Sequence, residues 1–253
     1  MKKIISILLS AILLLGLLAG CGKPVELDTS DPVASAKAWI EAQIENNTLF
    51  SFDYDGADYA SHVKKWAKTV ETTDNGWTVT YKNGDVTAWS EITFDEEMAA
   101  LEWTNYFKNE GSSDSPVISN IQAIDAPVAI ANPVLTTAKG SNDASDDFAP
   151  FSVNLVEEGQ RTLETSGGRS SQDALPYFDV CNGEHGIMMA IGWTGDWRAN
   201  FAHEEGVVTV TAGMQNTNLA LYAGETIRTP MIMLQFFSGS QNDGHNAFRR
   251  LII

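Results

Sequence analysis

The chain has 253 residues, 43% of them hydrophobic, with 16 basic and 33 acidic side chains and a formal net charge of −17. This length provides one large core or two smaller ones, but not a sandwich domain together with a (β/α)₈ barrel, since such a barrel alone takes roughly 250 residues. The acidic surface repels phosphate backbones and anionic lipid headgroups, which argues against nucleic acid as a partner and against electrostatic membrane binding.

Residues 1–20 predict a signal peptide. Lys2 and Lys3 precede an apolar run from Ile4 to Gly20, and at about 1.5 Å per residue this run is shorter than the roughly 30 Å hydrocarbon core. The run leads to Cys21 through Leu-Leu-Ala-Gly, which resembles the lipobox of bacterial lipoproteins. The resemblance implies a diacylglyceryl group on Cys21 and an extracytoplasmic chain, anchored by lipid to the bacterial cell membrane. An uncleaved anchor and a plain secretory signal are the alternatives.

Residues 21–31 are interpreted as a tether between the lipid and a domain that spans residues 32–253. Asp31 is a candidate helix N-cap and Pro32 a candidate first helical position. Apolar residues follow at helical spacing: Val33, Ala36, Ile40 and Ile44. This pattern predicts one short N-terminal helix that ends near Asn46.

After this helix the hydrophobic periodicity changes to two. One face of a strand is formed by Val86, Ala88, Ile92 and Phe94, and the next strand repeats the pattern with Ala99, Leu101, Trp103 and Phe107. Dipeptides such as Asn75-Gly76 and Asn182-Gly183 predict hairpin turns. Closely spaced strands with little helix indicate an all-β fold, a large antiparallel sandwich of two sheets.

Six segments carry a family resemblance: Phe50–Gly56, Leu101–Asn109, Asn120–Asp125, Gly167–Trp197, Gly224–Pro230 and His245–Arg250. In this order they are similar to the β-sandwich that precedes the catalytic barrel in α-galactosidases of glycoside hydrolase family 36. The resemblance covers roughly residues 44–253 and implies a supersandwich domain. The sequence stops about where such an enzyme begins its barrel, so we expect the catalytic barrel, the partner of this domain, to be missing.

No catalytic residue, metal site or cofactor is predicted. In the resembled enzymes the nucleophile follows a Lys-x-Asp pattern on a barrel strand, and this tripeptide is absent from the sequence. The four histidines lack the spacing of metal ligands. Cys181 lies in an apolar strand pattern and is interpreted as a buried, inert thiol. Whether the protein is an enzyme stays open, because the family is hydrolytic but this chain is expected to be inactive alone.

Five residues are candidates to face a carbohydrate or the barrel: Arg169, Asp179, Trp193, Asp196 and Trp197. Trp193 and Trp197 flank Thr-Gly-Asp196, and aromatic faces beside carboxylates suit sugars. The alternative is that both indoles fill the core or the seam against the barrel. Arg169 follows a pair of glycines in a polar loop resembling the segment that faces the barrel in the family.

Three functions therefore stay open. The first is a non-catalytic N-terminal domain of a truncated or fragmentary α-galactosidase-like surface lipoprotein in carbohydrate metabolism. The second is a stand-alone lipoprotein that binds galactosides or other carbohydrates through Trp193 or Trp197. The third is a structural or adhesive surface module that self-associates as a homo-oligomer.

Overall fold

Residues 24–253 are described by a computed structural model, so the predicted signal peptide and Cys21 lie outside the described residues. Its α-helices are α1 Pro32–Asn46, α2 Tyr59–His62, α3 Leu155–Glu158 and α4 Gln241–Ile252, with a 3₁₀ turn at Val63–Lys65. Its strands are β1 Ser51–Tyr54, β2 Ala67–Thr73, β3 Gly76–Asn83, β4 Val86–Asp95, β5 Ala100–Asn109, β6 Ile118–Gln122, β7 Ile124–Ala129, β8 Val134–Ala138, β9 Pro150–Asn154, β10 Gln160–Glu164, β11 Tyr177–Cys181, β12 His185–Gly192, β13 Trp197–Glu204, β14 Val207–Met214, β15 Asn218–Leu219, β16 Thr226–Arg228 and β17 Met231–Ser238.

Within this range the strands form three sheets, and the pairs within each sheet are antiparallel. The large sheet has ten strands in the order β2-β3-β4-β5-β17-β12-β11-β8-β9, with β16 also paired to β5. A four-stranded sheet has the order β10-β13-β14-β7, and a three-stranded sheet the order β1-β6-β15. Strands β6 and β7 are separated by Ala123 alone, so the two smaller sheets adjoin there.

The two smaller sheets form one layer that faces the large sheet across a shared core. Phe52 of β1 packs edge-on against Phe107 of β5, with ring centroids 4.9 Å apart. At the other end, Phe178 of β11 packs against Phe201 of β13 at 5.1 Å. The predicted all-β antiparallel sandwich is therefore confirmed, and its second layer consists of two sheets.

Helix α1 confirms the predicted N-terminal helix. Asp31 caps it by accepting the backbone N–H three residues on, Pro32 occupies the first turn, and Asn47 ends it in the left-handed conformation with φ 58°. The Trp39 side chain is fully buried, and its indole N–H donates to the Pro127 carbonyl at 2.7 Å. This bond joins the helix to β7 of the smaller layer.

Helix α4 goes beyond the sequence prediction of a single helix. Gly244 and several Asn and Asp residues lower the helix propensity of this segment, so helix propensity does not predict a helix here. A reciprocal cap between Ser240 and Asp243 starts the helix. It then packs on the outer face of β11, β12 and β17, where Phe248 contacts a cluster formed by Cys181, Met188 and Phe237. Among residues 24–253, no helix has the length and apolar character needed to span a bilayer.

Candidate functional site

Trp197, one of the two predicted sugar-facing tryptophans, lies in the core. Its side chain is completely buried, its ring packs 5.6 Å from Phe178, and its indole N–H donates to the Ser170 carbonyl at 2.8 Å. A sugar needs an exposed ring face on which to stack, and Trp197 offers none. Its place among the carbohydrate-facing candidates is therefore corrected: the indole fills the space between β11 and β13.

Asp196 and Arg169 both form hydrogen bonds that hold one loop, residues 167–172, in place. The Asp196 carboxylate accepts the Gly168 backbone N–H at 2.8 Å, immediately before β13. The exposed Arg169 guanidinium donates two hydrogen bonds to the Gln172 side-chain oxygen, at 3.0 and 2.9 Å. The structure thus brings Asp196, Trp197 and the Arg169 loop together, and it uses their polar groups to hold the loop on the sandwich.

Asp179 lies elsewhere, on the outer face of β11 beneath α4. Only 1% of its side chain is exposed, and its carboxylate lies 3.2 Å from Nε2 of His245. Burial raises the pKa of Asp179 to about 7, although the nearby Cys181 thiol opposes the shift. Both residues border a small pocket of 180 Å³ with a largely apolar wall that includes Leu175 and Tyr177.

The interpretation of Cys181 as a buried, inert thiol agrees with its position. It follows Asp179 on the same face of β11, and only 7% of it is exposed. Burial is the larger cause, and the nearby Asp179 carboxylate the smaller one, that raise the pKa of the Cys181 thiol to about 11. A thiol with this pKa carries almost no thiolate at neutral pH, so it is a poor nucleophile.

Trp193 is partly buried against the main core and lies beside a row of planar side chains on the outer face of the large sheet. The Arg228 guanidinium lies 5.5 Å from the centroid of the Trp193 ring. Arg228 is the cross-strand partner of Tyr106, which is in turn the partner of Trp89. The Trp89 and Tyr106 rings stack on each other at 4.9 Å, and Glu91 accepts the Trp89 indole N–H at 3.1 Å. We call Trp89, Tyr106, Arg228 and Trp193 the aromatic row.

A larger concave site lies at the end of the β2–β3 and β4–β5 hairpins, where Lys37 of α1 and Leu251 of α4 also reach it. This cleft has a volume of 730 Å³. Its aromatic wall is formed by Trp77 and Phe94, whose ring centroids are 6.4 Å apart with 30° between the planes. Around the wall stand charged side chains: Lys37, Asp74, Asp95, Glu96 and Glu102. We call this site the Trp77 cleft.

The hairpin that carries Trp77 differs by one residue from the predicted turn. Thr73 pairs with Gly76, so the two-residue turn is Asp74-Asn75 and Gly76 already belongs to β3. A Cβ atom on Gly76 would lie 2.0 Å from the Ile92 carbonyl oxygen. Glycine is therefore needed here for close approach to β4, and not for a positive φ. The Asn-Gly-Trp run in the sequence indicates this hairpin, but it does not by itself indicate the cleft.

No protein-family model and no curated protein sequence matches the chain. Solved structures match it in fold. The α-galactosidase from Lactobacillus brevis has a TM-score of 0.60 at 12% identity, over 77% of this chain and 30% of that one. The GH36 α-galactosidase AgaA from Geobacillus stearothermophilus has a TM-score of 0.59 at 13% identity, over 79% of this chain and 31% of that one.

The galactosidase domain of the α-galactosidase-sucrose kinase AgaSK matches similarly, with a TM-score of 0.54 at 12% identity, over 76% of this chain and 30% of that one. The chain thus spans about 30% of the length of the structures that it matches. At these identities the comparisons show the fold alone. They confirm the predicted resemblance at that level: residues 24–253 have the fold of a part of the family 36 α-galactosidases.

Proposed function

We propose that this chain is the non-catalytic N-terminal sandwich module of an α-galactosidase-like surface lipoprotein in carbohydrate metabolism. The supporting observation is the unequal coverage of the fold comparison. The region that matches AgaA in fold covers 79% of this chain but 31% of AgaA. A module of this kind serves by positioning a catalytic barrel and by contacting carbohydrate, and the barrel is its proposed partner.

The environment of Asp179 supports a non-catalytic role. A retaining glycosidase holds two carboxyl groups about 5 to 5.5 Å apart, and each raises the pKa of the other by charge repulsion. The raised pKa of Asp179 instead comes from burial, and the polar group in contact with its carboxyl group is the His245 imidazole. This arrangement provides one carboxyl group opposite an imidazole, not a nucleophile opposite an acid.

The catalytic proposal is tested by incubating the purified protein with nitrophenyl α-galactoside. We expect no release of nitrophenol above that of a buffer blank, because Asp179, the carboxyl group with a pKa of about 7, lies against an imidazole and not against a second carboxylate. Asp179→Asn is the matched variant. Turnover by the parent protein that disappears in Asp179→Asn would place a catalytic carboxyl group in this chain and overturn the proposal.

The lipid anchor is proposed from the lipobox-like run that ends at Cys21. Metabolic labelling with radioactive palmitate tests it in bacteria that express the full chain. The parent chain is expected to take up label and to fractionate with membranes, whereas Cys21→Ser is expected to do neither. Label retained by Cys21→Ser, or absent from the parent chain, contradicts the anchor.

A second candidate function is a stand-alone galactoside-binding lipoprotein. The observation that favours it is the Trp77 cleft, which combines an aromatic wall with charged hydrogen-bonding groups. AgaA variants have been solved in complex with raffinose and with stachyose, and these ligands belong to that enzyme. Calorimetric titration of the present protein with raffinose or melibiose is the test. A saturable heat supports this function, and no heat at millimolar sugar rules it out.

A further inference from the structure

We propose that the Trp77 cleft is the carbohydrate site of this protein, and that it binds a neutral oligosaccharide with one pyranose ring stacked on the Trp77 indole. This inference rests on the second proposed function and gives it a location. It also replaces Trp197, whose ring is buried, as the aromatic contact.

The Trp77 ring is held in place before any ligand arrives. Phe94 packs beside it, and the side chain is partly buried against the main core. The preceding turn is fixed to β4, because the Asn75 carbonyl accepts the Phe94 backbone N–H at 2.7 Å. The close contact of Gly76 with Ile92 leaves this hairpin little room to shift. A ring that is already ordered loses little conformational entropy on binding.

The polar groups of the cleft are free to bind. Within residues 24–253, the side chains of Lys37, Asp74 and Glu102 take part in no hydrogen bond or ion pair, whereas Asp95 accepts the Met98 backbone N–H at 3.0 Å. Sugar hydroxyls both donate and accept hydrogen bonds, so an ammonium and two carboxylates suit them. The three free groups come from α1, the β2–β3 turn and β5. All three border the same cleft as Trp77.

Charge and size define the class of ligand. Asp74, Glu96 and Glu102 outnumber Lys37 around the cleft, and the whole chain carries a net charge of −17, so a phosphorylated or uronic-acid sugar is repelled. The volume of 730 Å³ lies within the range of roughly 300 to 1,000 Å³ typical of small-molecule sites. A neutral oligosaccharide of a few units satisfies both conditions.

Two other sites described above suit a sugar less well. In the aromatic row, the Trp89 and Tyr106 rings stack at 4.9 Å, more closely than Trp77 and Phe94 at 6.4 Å, and the Arg228 guanidinium lies over Trp193. The pocket beside Asp179 has a volume of only 180 Å³ and a mostly apolar wall. The Trp77 cleft, in contrast, combines a ring, free polar groups and sufficient volume.

The test is calorimetric and fluorescence titration of the purified protein with raffinose, in the parent, Trp77→Ala and Trp193→Ala forms. We expect Trp77→Ala to weaken binding by on the order of tenfold, because the stacking contact is lost, and Trp193→Ala to leave it unchanged. Glu102→Ala is an exposed substitution that keeps the fold, and we expect it to weaken binding several-fold. Glu91→Ala, beside the aromatic row, is its matched control and is expected to have no effect.

The outcomes separate the location from the function. Binding that survives both Trp77→Ala and Glu102→Ala but is lost in Trp193→Ala overturns the Trp77 cleft while the galactoside-binding function stands. Absence of raffinose heat in the parent protein overturns the cleft and that function together, and it leaves the sandwich-module proposal intact. If Trp77→Ala does not fold by circular dichroism, the pair Glu102→Ala and Glu91→Ala decides the question.

Discussion

The two faces of the large sheet differ in how they are used. The inner face packs against the smaller sheets, and its residues on β5, including Leu101, Trp103 and Phe107, are almost completely buried. The outer face is covered by α4 over β11, β12 and β17, and it is half-exposed over β4 and β5, where the aromatic row lies. The difference teaches that stability comes mainly from the inner face, while the outer face and the sheet end hold the groups that are free for function.

The largest expected effect is on the inner face. Trp197→Ala removes a fully buried indole that contacts Phe178, and we expect it to lower the free energy of unfolding by about 3–5 kcal/mol. Urea unfolding followed by circular dichroism measures this loss. Trp193→Ala is the matched control at a partly buried position, and it is expected to cost less, about 1–2 kcal/mol. Equal losses for the two variants would contradict the assignment of Trp197 to the core.

The next effect concerns Asp179 beneath α4. Its folded-state pKa of about 7 means that the folded protein keeps a proton that the unfolded chain releases near pH ~4. This contribution to stability is complete below the unfolded pKa and is lost as the pH rises through 7. The free energy of unfolding therefore falls between these values, by up to about 1.4 kcal/mol per pH unit.

Asp179→Asn is expected to remove that slope, because an amide does not titrate. Urea unfolding at several pH values measures the difference between variant and parent, in which other groups cancel. Asp114→Asn, an exposed substitution, is the control and is expected to keep the slope of the parent. If the free energy of unfolding changed equally between pH 4 and pH 7 in the parent and in Asp179→Asn, this result would contradict a buried, protonated Asp179.

A smaller effect is expected where α4 meets the outer face. A Cβ atom on Gly244 would lie 2.6 Å from the Phe237 ring, so Gly244→Ala forces the helix away from the sheet. We expect a loss of about 1–3 kcal/mol in thermal or urea unfolding. On an exposed helix the same change would stabilise by up to about 1 kcal/mol, because alanine is the better helix former. A gain in stability for Gly244→Ala would show that α4 does not pack closely on Phe237.

The smallest effect belongs to the aromatic row. Arg228→Ala removes an exposed guanidinium that lies over the Trp193 ring, and exposed cation–π contacts contribute about 0.5–1 kcal/mol. The same variant is expected to change the fluorescence of Trp193. If Arg228→Ala lowered the free energy of unfolding as much as Trp197→Ala does, the aromatic row would contribute to stability as strongly as the core.

Sequence reasoning predicted the inner face better than the outer one. Alternation indicated which residues of β4 and β5 point inward, and the Asp31-Pro32 signal located α1. It did not separate Trp193 from Trp197, since both flank the same Thr-Gly-Asp turn. The alternation along β13 distinguishes the two tryptophans, because Trp197, Ala199 and Phe201 share one face of the strand and all three are buried.

The outer features escaped prediction for different physical reasons. Helix α4 is stabilised by its contact with Phe237 and by the cap at Ser240. The contact with Phe237 is tertiary and does not show in a local sequence pattern, and the poor helix propensity of the segment obscures the cap. The Trp77 cleft combines two hairpins with residues from both ends of the described chain, Lys37 and Leu251. Such a site depends on tertiary assembly, which local periodicity does not encode.

The central proposal is that this chain is a non-catalytic sandwich module. Incubation of the purified protein with raffinose, followed by chromatography of the sugars, tests this most directly. The account predicts that raffinose is recovered intact after prolonged incubation at neutral pH. Release of free galactose in proportion to protein concentration would contradict it.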